Sequence, residues 1–547
     1  MYQYLERRLH SFDALQSFYL AEPTAPAVNT VADPEIAASD RRGVSDGARD
    51  AQTKQNLYTG QVDYRFAGQR LSYVGMYSDH ELLAFAPQDA ADRVRDFDYF
   101  QRTRTLQKSK AHELRFASEE RLFGFLDYTV GAFNYETKSP SDVTNKTLIG
   151  RLNGTGIISP RVSDTAIQRG GFTKERSYFG NTTLHVGDST ELSAGLRRIN
   201  FETRSTITVN GRVLADVPDE ETPTIYNVSA SHRFSDDFMV YANHGKSWRE
   251  GPFAIGIFRP LTPRLQQFTD LDSETSKSYE LGFKSTFFDR RLRANLTAFH
   301  QDFTNFIYRG PTVYYVNLNQ AGATPSTFNF VANVDAKVDG AELDIGVTPF
   351  ERFSIDATFS YAKGKMKDGV IACNDINGDG VPDRNPPAPT VAQIRASAGG
   401  EEVAACQVND RLSFAPDWNL VLQSQYELPI TAQLDGFVRG LLTYYPKNKQ
   451  DPNNPYDNVD AYGLLNLYAG VRSNDGAWEV SLFAKNVTKT GETLSLGNGP
   501  LVTGYQELLP PTFTTTQGAS LASPYMTARY TPQREFGLNV RYAFGSR

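Results

Sequence analysis

The stretch most able to do chemistry lies between the only two cysteines of the chain, Cys373 and Cys406. There Asp375-Ile-Asn377-Gly-Asp379-Gly380-Val-Pro-Asp383 matches the first nine positions of a calcium-binding loop. Side-chain oxygens recur at every second residue, as a hard cation requires, and Gly380 stands at the sharp turn. The closing bidentate glutamate is absent. Pro386 holds the twelfth place, so Glu401 or Glu402 would have to substitute from elsewhere in the loop. Asp375, Asn377, Asp379 and Asp383 are thus candidate Ca2+ ligands, with an ordinary solvated Asp/Asn/Gly loop as the alternative. No other cofactor is expected. Gly43-Val-Ser45-Asp-Gly47 spells GxSxG, but a nucleophile elbow follows an apolar strand and this one follows a polar loop. Neither HExxH, a Walker A motif nor zinc-ligand spacing occurs among seven His and two Cys. Enzymatic activity is not expected.

The elements that must hold such a loop are legible in Ser273–Ile307. Tyr279, Leu281, Phe283 and Phe287 alternate with Ser278, Glu280, Gly282 and Lys284. Leu292, Ala294, Leu296 and Ala298 then alternate with Arg291, Arg293, Asn295 and Thr297. Period two is the strand signal, because successive side chains point to opposite faces. Folding the arms about Asp289–Arg290 sets Phe287 against Leu292, Phe283 against Leu296, Leu281 against Ala298 and Tyr279 against His300. One face is then apolar and the other polar. Asp-Arg suits a two-residue primed turn poorly, so a slightly longer loop is expected. The apolar face runs roughly 27 Å along the strand, or roughly 20 Å of height at a tilt of about 40°, close to the apolar band of an outer-membrane barrel. Further strands carry the same signature: Phe353–Tyr361, Trp478–Lys485 and Phe536–Phe544.

Composition fits this reading. At 547 residues the chain exceeds one ordinary soluble core, and it holds no apolar run long enough for a transmembrane helix. Its 35 Phe, 28 Tyr and 3 Trp would supply interfacial girdles. A net charge of -7 with no clustered basic stripe argues against a nucleic-acid partner.

Connections sort by parity. Short turns fall at Ala67–Gln69, Ser118–Arg121, Gly187–Ser189, Ser235–Asp237, Phe288–Arg291, Pro349–Arg352, Leu428–Thr431 and Ser473–Ala477. Long polar ones fall at Ser11–Thr53, Glu81–Arg104, Lys138–Gly171, Thr206–Thr222, Gly251–Asp272, Arg309–Ser326, Lys367–Asp410, Pro446–Asp460 and Lys489–Thr531. The reading is an all-β, transmembrane, antiparallel up-and-down barrel of about 18 strands, with short periplasmic turns and long extracellular loops.

Several blocks carry a family resemblance: VYANHGKSWREGPF (Val240–Phe253), ETSKSYELGFKSTFFDRRLRANLTAFHQDFTNF (Glu274–Phe306), VDGAELDIGVTPF (Val338–Phe350), YGLLNLYAGVRSNDGAWEVSLFAKNVT (Tyr462–Thr488) and the closing YTPQREFGLNVRYAF (Tyr530–Phe544). With these, the chain resembles the barrel of a TonB-dependent outer-membrane receptor. The resemblance implies 22 strands and an N-terminal plug with a TonB-contacting segment. The chain opens on MYQYLERRLHSF, without a signal peptide, and is expected to be N-terminally truncated, lacking the plug and about four strands. The terminal aromatic of the family would be Phe544, here followed by three residues that bear on recognition by the barrel assembly machinery.

The resemblance further implies active import, in a Gram-negative outer membrane, of a scarce large solute. A ferric siderophore is the first expectation; cobalamin or an oligosaccharide is the alternative, with energy from the inner-membrane TonB complex acting through the plug. A chain that closes as it stands would instead be a passive, porin-like channel. Trp248, Arg249, Tyr308, Arg309, Tyr314 and Tyr315 are the expected ligand contacts, because aromatic and Arg side chains suit anionic or aromatic chelates and sugars. Alternatively they are girdle aromatics and lumen charges. In an oxidising envelope Cys373 and Cys406 are expected to be disulfide-bonded; closing about 33 residues would stabilise the loop by roughly 3–4 kcal/mol.

Overall fold

Period-two alternation folds into long antiparallel strands, each paired with its neighbours in chain order. The computed structural model describes the chain except for residues 12–16, 21–35, 45–46, 90–92, 95–96, 154–155, 254–260, 310–312, 319–324, 384–388, 410, 414, 450–457, 497–500, 523–524 and 544–547. Phe544, Pro386 and the Ser45 of the GxSxG stretch lie outside the described residues. One sheet holds 22 strands. Four of them, Ser141–Asn153, Arg212–Glu221, Val502–Leu508 and Thr516–Ala522, belong to the long connections, which leaves 18 that form the wall.

The wall begins with β1 (Tyr2–Ser11), β2 (Arg49–Phe66), β3 (Gln69–Pro87), β4 (Phe100–Ser118), β5 (Leu126–Lys138) and β6 (Gly156–Val186). It continues with β7 (Thr190–Val209), β8 (Thr224–Ser235), β9 (Phe238–Arg249), β10 (Glu274–Phe287), β11 (Leu292–Arg309) and β12 (Val331–Phe350). It ends with β13 (Phe353–Lys367), β14 (Trp418–Pro429), β15 (Leu434–Tyr445), β16 (Tyr462–Ser473), β17 (Trp478–Lys485) and β18 (Glu535–Tyr542). Each pairs antiparallel with the next. No ladder joins β1 to β18 among the described residues, and in a bilayer both outer edges must be covered, because lipid cannot satisfy backbone polar groups. No described helix is long and apolar enough to cross a membrane.

The β10–β11 register is the one read from the sequence: Phe287 opposite Leu292, Phe283 opposite Leu296, Leu281 opposite Ala298 and Tyr279 opposite His300. The turn is longer than two residues. Phe288, Asp289 and Arg290 all have positive φ, and Arg291 N donates to Phe288 O at 3.1 Å. The apolar face is the outer one, where Leu281 is 59% and Leu538 is 61% exposed. On the inner face, rings lie over glycines: a Cβ on Gly282 would meet the Tyr241 ring at 2.6 Å, so the residue opposite such a ring must be small.

Several expected loops are partly strand, and in three of them the wall strands themselves run on or pair with the added strand. β3 runs to Pro87 and β4 starts at Phe100, so the Glu81–Arg104 connection shrinks. The Lys138–Gly171 stretch forms Ser141–Asn153 and the first part of β6, which pair with each other. Thr206–Thr222 continues β7 and turns at Asn210–Gly211 into Arg212–Glu221. Above the apolar band both faces of a strand meet water, so the alternation that marks a wall strand is absent there.

Candidate functional site

Three long connections on one rim pack into a cap. The loop after β9 supplies a short helix, Pro263–Gln267, capped by Thr262, whose Oγ1 accepts from Leu265 N. The loop after β11 supplies the hairpin Val313–Val316/Pro325–Phe328, and the loop after β13 supplies Gly369–Cys373 paired with Ala404–Val408. Leu265, Phe268, Val313, Tyr315, Phe330, Ile371 and Val403 interlock in one buried cluster. Glu402, wholly buried, ties the three loops together: its carboxylate accepts from Thr262 Oγ1 and from Leu318 N (3.3 Å), and its carbonyl accepts from Val316 N (2.9 Å). Cys373 and Cys406 form a disulfide, Cα–Cα 5.9 Å, beside Ala398 and Ala404.

The candidate ligand contacts divide. At the end of β9, Trp248 lies edge-on against Phe201, ring centroids 5.2 Å apart, and donates from Nε1 to Glu221 Oε2 at 3.2 Å. Arg249 donates to Glu274, whose Oε2 also accepts from Ile307 N at 3.0 Å. The Glu274 side chain is 10% exposed but that of Arg249 is 56% exposed, leaving part of the guanidinium open to solvent. Gly251 lets the chain leave β9 here, since a Cβ would stand 2.1 Å from Leu271 O. Arg309 is exposed at the end of β11, whereas Tyr308 packs against the cap cluster. Tyr314 is half-buried, with its backbone N donating to Asn374 Oδ1 at 2.8 Å. Tyr315 is a correction. It is 8% exposed, edge-on to Phe328 and Phe330, and burial pushes its phenol up, so it is cap interior and not a solute-facing ring.

The Asp-rich loop is folded on itself. Asp375 accepts from Asp379 N and Gly380 N (both 3.0 Å), Asp379 accepts from Asn377 Nδ2, and Asp383 accepts from Ile376 N. Of the two acids, Glu401 and Glu402, that could close a cation site, Glu402 accepts instead from Thr262 and Leu318. Among the described residues no group of three or more His, Cys, Asp or Glu side chains is arranged to hold a metal ion.

Sequence reasoning missed a polar recess of about 480 Å³ on the inner wall, whose lining includes Arg197, Asn227, Asn243, Ser247, Ser276 and Gln301. Arg197 is held by Glu175 and Ser177 (2.9 Å) and lies over the rings of Phe133 and Phe179. Asn243 Oδ1 is buried with no hydrogen-bond partner, an acceptor left for an incoming donor. Linear sequence shows these residues only as the polar half of an alternation; their convergence comes from five neighbouring strands.

Carboxylates crowd the rim beside Arg249. Burial pushes the Glu250 carboxyl up to about 7, with repulsion from Asp219 and Glu221 adding to it and a Thr203 hydrogen bond opposing it. Since this lies above the ordinary 4.5, the fold favours the neutral acid. That contribution is complete below about 4.5 and is lost as pH rises through about 7. Hydrogen exchange at residues 249–253 is therefore expected to quicken between about pH 5 and about pH 8, reflecting about 1 kcal/mol once half-exposure is discounted. After correction for the intrinsic pH dependence of exchange, Glu250→Gln should abolish that change; parallel profiles would contradict the assignment.

Comparison with known proteins adds the following. A family model described as TonB dependent receptor-like, beta-barrel matches residues 4–487. The iron-regulated outer membrane virulence protein of Vibrio cholerae is 32% identical over 114 residues, covering 20% of this chain and 16% of that protein. The ferric yersiniabactin uptake receptor of Yersinia pestis superposes with TM-score 0.60 at 12% identity, over 92% of this chain and 63% of that one. The ferric-catecholate import receptor of E. coli K12, in its closed form, gives TM-score 0.60 at 14% identity, over 97% and 72%. The chain thus spans less than two thirds of the Yersinia receptor and about a sixth of the Vibrio protein.

Proposed function

This chain belongs to the TonB-dependent receptors, whose β-barrel lies in the outer membrane of Gram-negative bacteria, and from that premise we infer that it serves the uptake of a ferric siderophore. The observation that carries this reading is the asymmetry of the two rims. Every connection on one rim is short, whereas those on the other include three that build a packed cap, and the recess lies toward that rim, with Ser247 and Ser276 each two residues from the end of its strand. Arg197 and the open side of Arg249 would meet the negative charge of a chelate, the rings near Arg197 would meet its aromatic groups, and Asn243 would accept from its amides or hydroxyls. The neighbours named as ferric uptake and import receptors favour iron chelates over cobalamin or oligosaccharide. On this reading the working partners are the inner-membrane TonB complex acting through a plug, the barrel assembly machinery and outer-membrane lipid.

The test is equilibrium binding of iron-loaded catecholate, hydroxamate and phenolate siderophores to the purified protein, with cobalamin and maltooligosaccharides as competitors. One chelate class should bind, and Arg197→Ala should weaken it by about tenfold or more, the cost of one charge-assisted contact. Binding of cobalamin or sugar alone, or single-channel conductance through an open pore, would replace the siderophore reading.

A further inference from the structure

Six wall strands bring one row of inner-face residues into register: Asn181 of β6, Gly195 of β7, Asn227 of β8, Gly245 of β9, Ser278 of β10 and Gln301 of β11. All six line the polar recess. From Asn181 to Ser278 a neutral amide or hydroxyl alternates with glycine, and no member of the row is charged. At about 4.8 Å per strand the row extends roughly 24 Å along the wall.

The glycines of this row differ from others on the inner face. Gly131, Gly282 and Gly340 lie beneath rings, where an added Cβ would stand 2.4 Å from Phe179, 2.6 Å from Tyr241 and 2.2 Å from Phe299, so packing explains them. A Cβ on Gly245 would meet nothing nearer than Tyr226 O at 3.4 Å. The wall does not need glycine there, and the space above it belongs to the recess. Over Gly195 two amides converge, since a Cβ would stand 2.4 Å from Asn227 Oδ1 and 2.9 Å from Asn181 Nδ2. Beside the row, Asn243 Oδ1 is the buried acceptor with no partner, and a turn about its broad χ2 well brings it to the recess surface. On the other side the hydroxyls of Ser247 and Ser276 bond each other at 2.7 Å.

We propose that this row is a subsite for an extended, uncharged, amide-bearing arm, so that the iron chelate carried by the protein is tethered to a peptide and is not compact. The proposal rests on the siderophore reading and narrows it. The side chains of Asn181, Asn227 and Gln301 each donate and accept, matching the N–H and C=O that a peptide backbone offers. Gly195 and Gly245 leave room for that backbone to approach the wall. The charged head stays near Arg197 on β7. Gln301 stands four strands away, roughly 19 Å along the wall, beyond the reach of a compact chelate held at Arg197. A sugar face would be met by rings, and none stands in this row.

The test is equilibrium binding, to the purified protein, of ferric catecholate, hydroxamate and phenolate chelators that carry a pentaglycine arm, a pentasarcosine arm or none. Sarcosine keeps the carbonyls and removes every N–H. In the class that binds, the pentaglycine chelate should bind about tenfold or more tightly than the pentasarcosine one, the cost of acceptors left unpaired. Gly245→Ala, which the wall accommodates, and Asn227→Leu should each bring that ratio close to one and leave the armless chelate unaffected. Equal affinity for the two arms in the wild type, a comparison that needs no variant, would overturn the proposal and leave the uptake reading standing. A ratio that survives both substitutions would overturn it too. Binding of none of the chelates would overturn the uptake reading itself, and this proposal with it.

Discussion

Replacing Cys373 and Cys406 together by serine is expected to open the connection between β13 and β14 a few hundredfold more often, a loss of roughly 3–4 kcal/mol in the chain-entropy account. The two are separated by 33 residues, and the segment they close carries the Asp-rich loop and the helix Val391–Ser397. Arg395 sits on that helix, so trypsin cleavage there reports the opening directly. Reduced wild type should be cleaved as fast as the serine variant, while the wall strands stay protected because their ladders do not depend on the loop. Equal cleavage with and without the bond would show that cap packing alone holds the segment closed.

The second large effect is expected from Glu402→Ala. The carboxylate has no solvent exposure and satisfies the hydroxyl of Thr262 and the amide of Leu318, which belong to different loops. Removing it leaves both donors unpaired and opens a void, together about 3–4 kcal/mol against the cap. Hydrogen exchange should rise in Val313–Val316 and Pro263–Gln267 at once, with β10–β12 unaffected. Because Glu402 is four residues from Cys406, the two changes should be non-additive when combined. Exchange confined to the loop that carries Glu402 would mean that the three loops fold separately.

Much of the wall was legible because a sheet with one face in lipid and one in a polar lumen imposes period two on every strand. Phe287, Phe283 and Leu281 could be matched to Leu292, Leu296 and Ala298 by that alternation alone, and tight turns marked the ends. Where the constraint lapses, legibility lapses with it. Ser141–Asn153 and Arg212–Glu221 read as polar loops because strands above the apolar band need no apolar face. The site was less accessible. Trp248 and Arg249 were picked out by type and lie at the rim, but Tyr315, equally aromatic, is consumed by the cap. Arg197 and Asn243 gain their character from neighbours on other strands, Phe133 and Phe179 for the one and an absent partner for the other. Glu402 looked like a spare cation ligand because nothing in the sequence records that Thr262, 140 residues away, reaches it.

The measurement that bears most directly on the central claim is uptake of iron-loaded siderophores by iron-starved cells. It compares the intact gene, its deletion, and an Arg197→Ala/Arg249→Ala allele, each with TonB present or deleted. The account predicts that deletion abolishes uptake of one siderophore class, that the double change lowers it severely with the protein still in the outer membrane, and that loss of TonB has the same effect as loss of the gene. Unchanged uptake of every siderophore on deletion, or uptake that persists without TonB, would contradict it.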